Sequence, residues 1–217
     1  MRLKILMPSL VLVMLCTAPD LSHSAAQSEH QPPDPTAGQQ KPQRGFTWYS
    51  QRNPLPKIDL VTIDGTIFDP DILSNRIVIL NFWASWCAPC LEEIPAFSAL
   101  QNRFSDDEMM VVLVNEDRNW GEGERKFLAR RLGIDNLLQL HDRRLGFLNA
   151  VIATPFLPVT LIIDRKQQIL GTYLGPWCWD SDAASAMIQH LIDHGTVDDA
   201  MAQNKPPAHD CQIPGSH

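Results

Sequence analysis

Short apolar runs alternate with segments of helical spacing along the middle of the chain. The apolar runs have the length of buried strands and are bounded by turn residues; they occupy residues 77–82, 109–114, 137–140, 161–164 and 169–174. The segments with helical spacing occupy residues 89–104, 120–133, 142–150 and 181–194. A β-α-β unit followed by a β-β-α unit predicts an α/β fold with a mixed central sheet and helices on both faces.

A hairpin signal precedes the first of these strands. Two apolar segments, residues 60–63 and 66–68, flank the dipeptide Asp64-Gly65. Asp-Gly favours the tight turn of a β-hairpin because both residues tolerate a positive φ. We therefore expect an N-terminal β-hairpin extension in front of the central sheet.

The N-terminus has the pattern of an export signal. A basic start at residues 1–4 leads into an apolar stretch at residues 5–16, and small side chains follow at residues 24–26. We expect residues 1–26 to be a signal peptide that is cleaved before the next residue. The alternative is an uncleaved anchor that tethers the protein to a membrane through residues 5–18.

Composition divides the rest of the chain into three parts. Residues 27–45 are rich in proline and nearly free of apolar side chains, which predicts a flexible linker. The apolar runs and helical segments place a folded domain at residues 46–195. Residues 196–217 are polar and contain prolines, which predicts a C-terminal tail.

The charge of the chain argues against nucleic acid as a partner. The 217 residues include 18 Lys and Arg against 25 Asp and Glu, for a net charge of −7 at pH 7 with neutral histidines. Because the basic residues are not clustered, the electrostatic pattern of a nucleic-acid-binding protein is missing. We expect no nucleic-acid partner.

Two cysteines stand where the first long strand gives way to a helix. Cys87 and Cys90 are separated by Ala88 and Pro89, and proline is well tolerated in a first helical turn. The unpaired N–H groups and the positive end of the helix dipole favour a thiolate here, above all at Cys87. The spacing lets the sulfurs approach to bonding distance, so we expect the pair to cycle between dithiol and disulfide.

Other uses of such a pair are less well supported. A zinc site would need a second pair, but the remaining cysteines are single: Cys16, Cys178 and Cys211. A structural disulfide that closes so short a loop would remove little entropy from the unfolded chain. His190 and His194 have the i, i+4 spacing of helical metal ligands, but such pairs are common on helix surfaces and we expect no metal site.

The residues around the cysteines resemble a known family. Residues 81–95 read N-F-W-A-S-W-C-A-P-C-L-E-E-I-P, which is similar to the thioredoxin superfamily and, within it, to the extracytoplasmic thiol-disulfide reductases of the TlpA, ResA and DsbE type. The resemblance runs from about residue 55 to about residue 194. The chain departs from the family at residues 74–76, which replace a common Gly-Lys, and in the additional Cys178 and Cys211.

The resemblance implies a thioredoxin fold and an activity outside the cytoplasm, in the periplasm or at the outer face of the inner membrane. It implies a thiol-disulfide oxidoreductase that reduces disulfides in exported proteins, such as apocytochrome c or copper-site proteins. A membrane electron donor of the DsbD or CcdA type would keep it reduced, and no cofactor is implied. The alternative is a non-catalytic copper-binding or chaperone module that uses Cys87, Cys90 and histidines.

The resemblance also suggests roles for residues beyond the two cysteines. Glu93 matches a glutamate that the reductases carry near the active site, where it would accept the proton of Cys90 as a general base. Pro158 matches the cis-proline before the penultimate strand, with Pro155 as the alternative. The backbone of Leu157 would then pair with an extended substrate peptide.

Aromatic residues and the spare cysteines complete the candidate site. We expect Trp86 to cover the cysteines and to offer an apolar recognition surface, and Trp177 to lie at the rim of the active site for substrate binding. Cys178 and Cys211 would form a structural disulfide that holds the tail to the domain. The alternative is that Cys178 exchanges electrons with the redox pair.

Overall fold

The structure is a computed structural model that describes residues 45–197, apart from positions 58, 119, 122, 124–125, 127–129 and 153–155. The predicted signal peptide, most of the predicted linker and most of the predicted tail lie outside the described residues and stay predictions. Among the helices that are described, none has the length and apolar character needed to cross a bilayer.

Within the described part of the chain, seven strands form one mixed sheet. They are β1 (Gly45–Pro54), β2 (Val61–Thr62), β3 (Ile77–Trp83), β4 (Met109–Asn115), β5 (Leu138–His141), β6 (Val159–Ile163) and β7 (Gln168–Leu174). The strand order is β1-β7-β6-β3-β4-β5-β2. β3, β4 and β5 are parallel to one another, whereas β6 is antiparallel to β3 and β7 is antiparallel to β6. The predicted mixed sheet is confirmed, with β3 in its centre.

Among the helices whose residues are all described, three pack on this sheet: α1 (Ala88–Gln101), α2 (Gly146–Val151) and α3 (Asp182–His194). α1 continues through Pro95. The N-cap of α3 is Ser181, whose side chain accepts a hydrogen bond from the Ala184 N–H at 3.1 Å.

The central strand is buried on both faces because its side chains alternate between two apolar clusters. Ile77 and Ile79 pack in the cluster that contains the buried sides of α1 and α3. Val78 and Leu80 pack in the cluster that contains α2 and the segment before β3. The helices therefore cover both faces of the sheet, as predicted.

The edge strand β1 was not predicted. It pairs with β7 in antiparallel register from Gly45 opposite Leu174 to Pro54 opposite Gln168. The contact is close at Gly171, where an added Cβ would lie 2.6 Å from a ring carbon of Trp48 and 2.7 Å from the Thr47 carbonyl oxygen. Only glycine fits at this position of the β1–β7 pair.

The predicted hairpin is present but short. The Thr62 N–H donates to the Thr66 carbonyl at 2.9 Å, and the Phe68 N–H donates to the Leu60 carbonyl at 2.9 Å. Gly65 has a φ of +90°, as the turn requires. The hairpin adds only one short strand to the sheet, because β2 is its only regular strand among the described residues. β2 pairs with β5.

Candidate active site

The cysteines lie at the junction of the central strand and the first helix. Cys87 is the N-cap of α1 with an extended backbone, and its side chain makes no capping hydrogen bond. Its carbonyl accepts hydrogen bonds from the N–H groups of Cys90 at 3.1 Å and Leu91 at 3.2 Å. The sulfur of Cys87 thus sits where the helix begins, with Pro89 in the first turn, as predicted.

The two cysteines form a disulfide. Their Cα atoms are 5.3 Å apart, which is a normal separation for a bonded pair. Cys87 keeps 5% of its surface exposed, whereas Cys90 is fully buried at 0%. A substrate that approaches from solvent therefore meets Cys87 first.

A carboxylate from the neighbouring strand fixes the loop in front of Cys87. Asp117 follows β4 and accepts hydrogen bonds from the Ser85 N–H at 3.0 Å and from the Ser85 hydroxyl at 3.1 Å. It also accepts one from the Asn115 amide at 2.9 Å. Because β3 and β4 are parallel, their carboxyl ends meet at one edge of the sheet, and this contact ties the cysteine loop to it.

Glu93 is buried one turn along the helix from Cys90, with 2% of its surface exposed. Its carboxyl group accepts hydrogen bonds from the Asn81 amide at 2.9 Å and from the Trp177 N–H at 3.2 Å. Burial raises the pKa of Glu93 to about 8, although both hydrogen bonds lower it. A carboxyl group with such a pKa exchanges protons near neutral pH.

The peptide bond between Leu157 and Pro158 is cis, as predicted for Pro158. Pro155, the alternative, lies outside the described residues. The Pro158 carbonyl accepts a hydrogen bond from the Gly175 N–H at 3.0 Å. Leu157 is half-buried and packs against both apolar clusters of the core.

An open cleft of about 470 Å³ adjoins the cysteine loop. Ser85 and Trp86, which directly precede Cys87, form part of its wall, and Leu157 forms another part. Trp86 has 72% of its surface exposed, so it offers apolar area to a partner. The other lining residues are Glu116, Asp117, Arg118, Leu145 and Leu148.

The sequence matches the Redoxin family over residues 50–187. This chain belongs to the Redoxin family. The match covers most of the described domain, from the middle of β1 to the middle of α3, and includes both cysteines. The predicted resemblance to thioredoxin-like proteins is therefore confirmed.

The curated relatives of this Redoxin protein include a thioredoxin-like protein and a thiol-disulfide oxidoreductase. It is 31% identical over 120 residues to the thioredoxin-like protein YneN of Bacillus subtilis (strain 168), a match over 55% of this chain and 69% of YneN. It is 35% identical over 103 residues to the thiol-disulfide oxidoreductase ResA of Geobacillus kaustophilus, over 44% of this chain and 55% of ResA.

A solved structure has the same fold. The secreted thiol-disulfide isomerase of Corynebacterium glutamicum aligns with a TM-score of 0.60 and 21% identity, over 71% of this chain and 96% of that one. With the Cys87–Cys90 disulfide in place, the Redoxin protein is a thiol-disulfide oxidoreductase of the ResA type.

Trp177 needs a correction, because it does not lie on an exposed rim. Its side chain has only 6% of its surface exposed and packs edge-on against Phe46 and Trp179, with ring centroids 5.0 and 4.9 Å apart. Strand β1, which was not predicted, supplies Phe46 and covers the ring. Trp177 contributes to the site through its backbone N–H on Glu93 and not through apolar recognition surface.

Cys178 is half-buried and disulfide-bonded. Its predicted partner Cys211 lies outside the described residues, so the pairing of the two stays a prediction. Among the described residues, no three His, Cys, Asp or Glu side chains are grouped as metal ligands. His190 and His194 stack on each other along α3 with ring centroids 4.4 Å apart.

Glu116 is a buried residue near the site that the sequence reasoning missed. It keeps 4% of its surface exposed, and neither of its carboxyl oxygens has a hydrogen-bond partner. Burial first, then the charges of Asp142 and Asp117, raise the pKa of Glu116 to about 9. A signal was available, because Asn115-Glu116-Asp117 directly follows a buried strand that is parallel to the strand leading into the cysteines.

Proposed function

We propose that the reduced protein acts outside the cytoplasm and reduces disulfide bonds in exported proteins, such as apocytochrome c or proteins with copper sites. One arrangement carries the proposal. Cys87 is slightly exposed at the N-cap position of a helix, Cys90 is fully buried within the first turn, and the buried carboxyl of Glu93 follows on the same helix. These are the parts that a two-step thiol-disulfide exchange requires.

The reaction begins when the Cys87 thiolate attacks one sulfur of the substrate disulfide. The second substrate sulfur leaves as a thiolate and takes up a proton, and a mixed disulfide joins Cys87 to the substrate. Cys90 then passes its proton to Glu93 and attacks Cys87, and the other substrate sulfur leaves as a thiolate that takes up a proton from solvent. In sum, one protein dithiol, one ionised Glu93, one substrate disulfide and one proton from solvent become one protein disulfide, one protonated Glu93 and two substrate thiols.

Glu93 accepts the proton of Cys90 in this mechanism and later returns it. Its ionised form accepts that proton during the second attack, which is general base catalysis. Because the pKa of Glu93 lies near 8 in the oxidised protein, the carboxyl group keeps the proton at neutral pH after the disulfide has formed. When an electron donor reduces the disulfide again, Glu93 returns the proton to Cys90.

The substrate would lie across Trp86 and the Leu157–Pro158 segment. Trp86 is exposed beside Cys87, and both Trp86 and Leu157 line the same cleft. The half-buried position of Leu157, two residues before β6, suits its backbone for pairing with an extended peptide.

The N-terminal pattern supports export and anchoring, and the family resemblance supports an electron supply from the membrane. Residues 1–26 have the pattern of a signal peptide, and the structural neighbour from Corynebacterium glutamicum is a secreted protein. A membrane electron donor of the DsbD or CcdA type would return the protein to its dithiol form. A tether through residues 5–18 would hold the domain near that donor.

Trapping the mixed disulfide tests the proposal. A Cys90→Ser variant cannot complete the second attack, so it should accumulate exported proteins bound through Cys87, which mass spectrometry identifies. A Cys87→Ser variant is the matched control and should trap none. Equal capture by both variants, or capture of cytoplasmic proteins alone, would refute the proposal.

A further inference from the structure

The side chain of Glu116 is an unusual feature of the cleft beside the cysteines. Glu116 has only 4% of its surface exposed, and it lines the cleft. Both of its carboxyl oxygens lack a hydrogen-bond partner. A buried carboxyl group without a partner costs stability, because it has lost water and gained nothing in return. Such a group is a candidate for pairing with a ligand that enters the cleft.

The two acidic neighbours of Glu116 are already occupied. Asp117 accepts its hydrogen bonds from Ser85 and Asn115. Asp142 accepts hydrogen bonds from backbone N–H groups at the start of α2, among them Phe147 at 2.7 Å and Gly146 at 3.0 Å. Of these three carboxyl groups, only Glu116 has its full acceptor capacity left for a ligand.

The charge around the cleft favours a cationic ligand. Asp117 and Asp142 both act on Glu116 with negative charge, since each raises its pKa. Arg118 also lines the cleft, but its side chain is exposed and does not pair with Glu116. A cation that reaches the Glu116 oxygens would offset the repulsion that Asp117 and Asp142 exert on the ionised form of Glu116.

The walls of the cleft favour a cation on an aliphatic chain. Leu145, Leu148 and Leu157 line the cleft together with the indole of Trp86. Lysine and arginine place apolar methylene groups against such surfaces while the charged end reaches a polar partner. The wall formed by Trp86 is adjacent in sequence to Cys87, where a substrate disulfide must arrive.

We propose that this cleft binds a lysine or arginine side chain of the substrate protein, with its methylene stem against the leucines and its charged end on Glu116. The site would select disulfides that have a basic residue nearby. The inference rests on the proposed function, because it assigns the cleft to the substrate of that reaction.

The protonation of Glu116 fits this role. With a pKa of about 9 the carboxyl group is protonated and neutral at pH 7 when the cleft holds no cation. A bound ammonium or guanidinium group stabilises the ionised form, so the carboxyl releases its proton on binding. The empty site thereby avoids a buried charge, which explains how Glu116 persists without a partner.

Peptide disulfides test the inference. Short peptides would carry one cysteine in a mixed disulfide with 2-mercaptoethanol and one lysine placed one, two or three residues away on either side. Each would be compared with the same peptide carrying acetyl-lysine, and with hydroxyethyl disulfide as a neutral substrate without a side chain to bind. The reduced full chain, its Glu116→Gln variant and the exposed-surface control Glu92→Gln would be assayed for kcat/KM.

We expect at least one lysine peptide to be reduced about tenfold faster in kcat/KM than its acetylated form, the difference that one charge-assisted hydrogen bond provides. Glu116→Gln should abolish this preference, and Glu92→Gln should keep it. The contrast between lysine and acetyl-lysine is read in the unaltered protein, so it does not depend on how the variant folds.

Two other outcomes distinguish a failure of this inference from a failure of the proposed function. If hydroxyethyl disulfide is reduced but lysine and acetyl-lysine peptides react equally at every position, the cleft does not select a cation and the inference is overturned while the proposed function stands. If no disulfide is reduced at all, the proposed function fails and the inference fails with it.

Discussion

Two buried glutamates near the cysteine loop, Glu93 and Glu116, differ in their hydrogen bonds. Glu93 is held by the Asn81 amide and the Trp177 N–H, and the Trp179 indole N–H lies near enough to lower its pKa without forming a hydrogen bond. Glu116 has no hydrogen-bond partner. Burial raises the pKa of both side chains, to about 8 and about 9.

The difference teaches that burial alone does not define the role of a carboxyl group. Glu93 is held in one position by groups of the fold, one helical turn from Cys90, so it suits a proton transfer inside the protein. Glu116 is not held by hydrogen bonds, and the residue lines a cleft that is open to solvent, so it suits a partner from outside. The same residue type thus serves two purposes, which its hydrogen bonds distinguish.

Both assignments require that Cys87 is the attacking sulfur. Cys87→Ser should therefore abolish the reduction of insulin and of hydroxyethyl disulfide, because Cys90 is fully buried and cannot reach a substrate. Turbidity and thiol release measure the two reactions. Residual activity above background would mean that the accessible sulfur has been misassigned.

Removing the carboxyl group of Glu93 should slow the second attack. We expect Glu93→Gln to lower the rate at which Cys90 resolves the mixed disulfide by about 100-fold, the lower range for a general base. In the unaltered protein this rate should rise with pH up to about 8, and the variant should lose that rise. Stopped-flow measurements across pH 6–9 follow the reaction, with Glu92→Gln as the exposed control. An unchanged pH profile in Glu93→Gln would separate Glu93 from the proton transfer.

Replacing the carboxyl group of Glu116 should change the free energy of unfolding and leave the rate of disulfide reduction nearly unchanged. Because its folded-state pKa exceeds the ordinary glutamate value of 4.5, the folded protein binds more protons than the unfolded chain between about pH 4.5 and 9. The free energy of unfolding therefore falls as pH rises through this window. Glu116→Gln should weaken that fall and raise stability at pH 8 by ~1–3 kcal/mol, with little change at pH 5.

Urea unfolding at pH 5 and pH 8 measures this effect, and Glu92→Gln again serves as the control. Equal pH dependence in Glu116→Gln and the unaltered protein would show that Glu116 is not a buried, unpaired acid.

A smaller effect is expected at Asp117, which holds the loop before Cys87 through hydrogen bonds from Ser85. Asp117→Asn should lower the free energy of unfolding by about 1 kcal/mol, because a charge-assisted acceptor for Ser85 becomes a neutral one. The exposed Asp107→Asn is the control. Denaturant unfolding in the oxidised state measures the change, and a stabilised Asp117→Asn variant would contradict the anchoring role.

Much of the fold followed from sequence because its signals are local. The runs that form β3 and β4 are short, apolar on both faces and bounded by turns, so periodicity alone places them near the centre of a sheet. The junction of β3 and α1 was predicted for the same reason, and with it the position of Cys87.

The missed features depend on residues far apart in the chain. β1 is a partly exposed edge strand whose order comes from pairing with β7, and its ten residues, G-F-T-W-Y-S-Q-R-N-P, do not alternate cleanly between apolar and polar. Without β1, Trp177 appeared free to line the site, whereas Phe46 covers it. The raised pKa of Glu116 depends on Asp142 after β5, which no local pattern contains.

The protonation of Glu93 in the oxidised protein tests the central claim most directly. Carbon-13 NMR of the glutamate side-chain carboxyls, assigned with Glu93→Gln, would follow this one group from pH 4 to pH 10. A midpoint near 8 would agree with a carboxyl that holds the proton of Cys90 at neutral pH. A midpoint near 4.5, the ordinary value, would mean that Glu93 is ionised when the disulfide forms and stores no proton, which would contradict the mechanism.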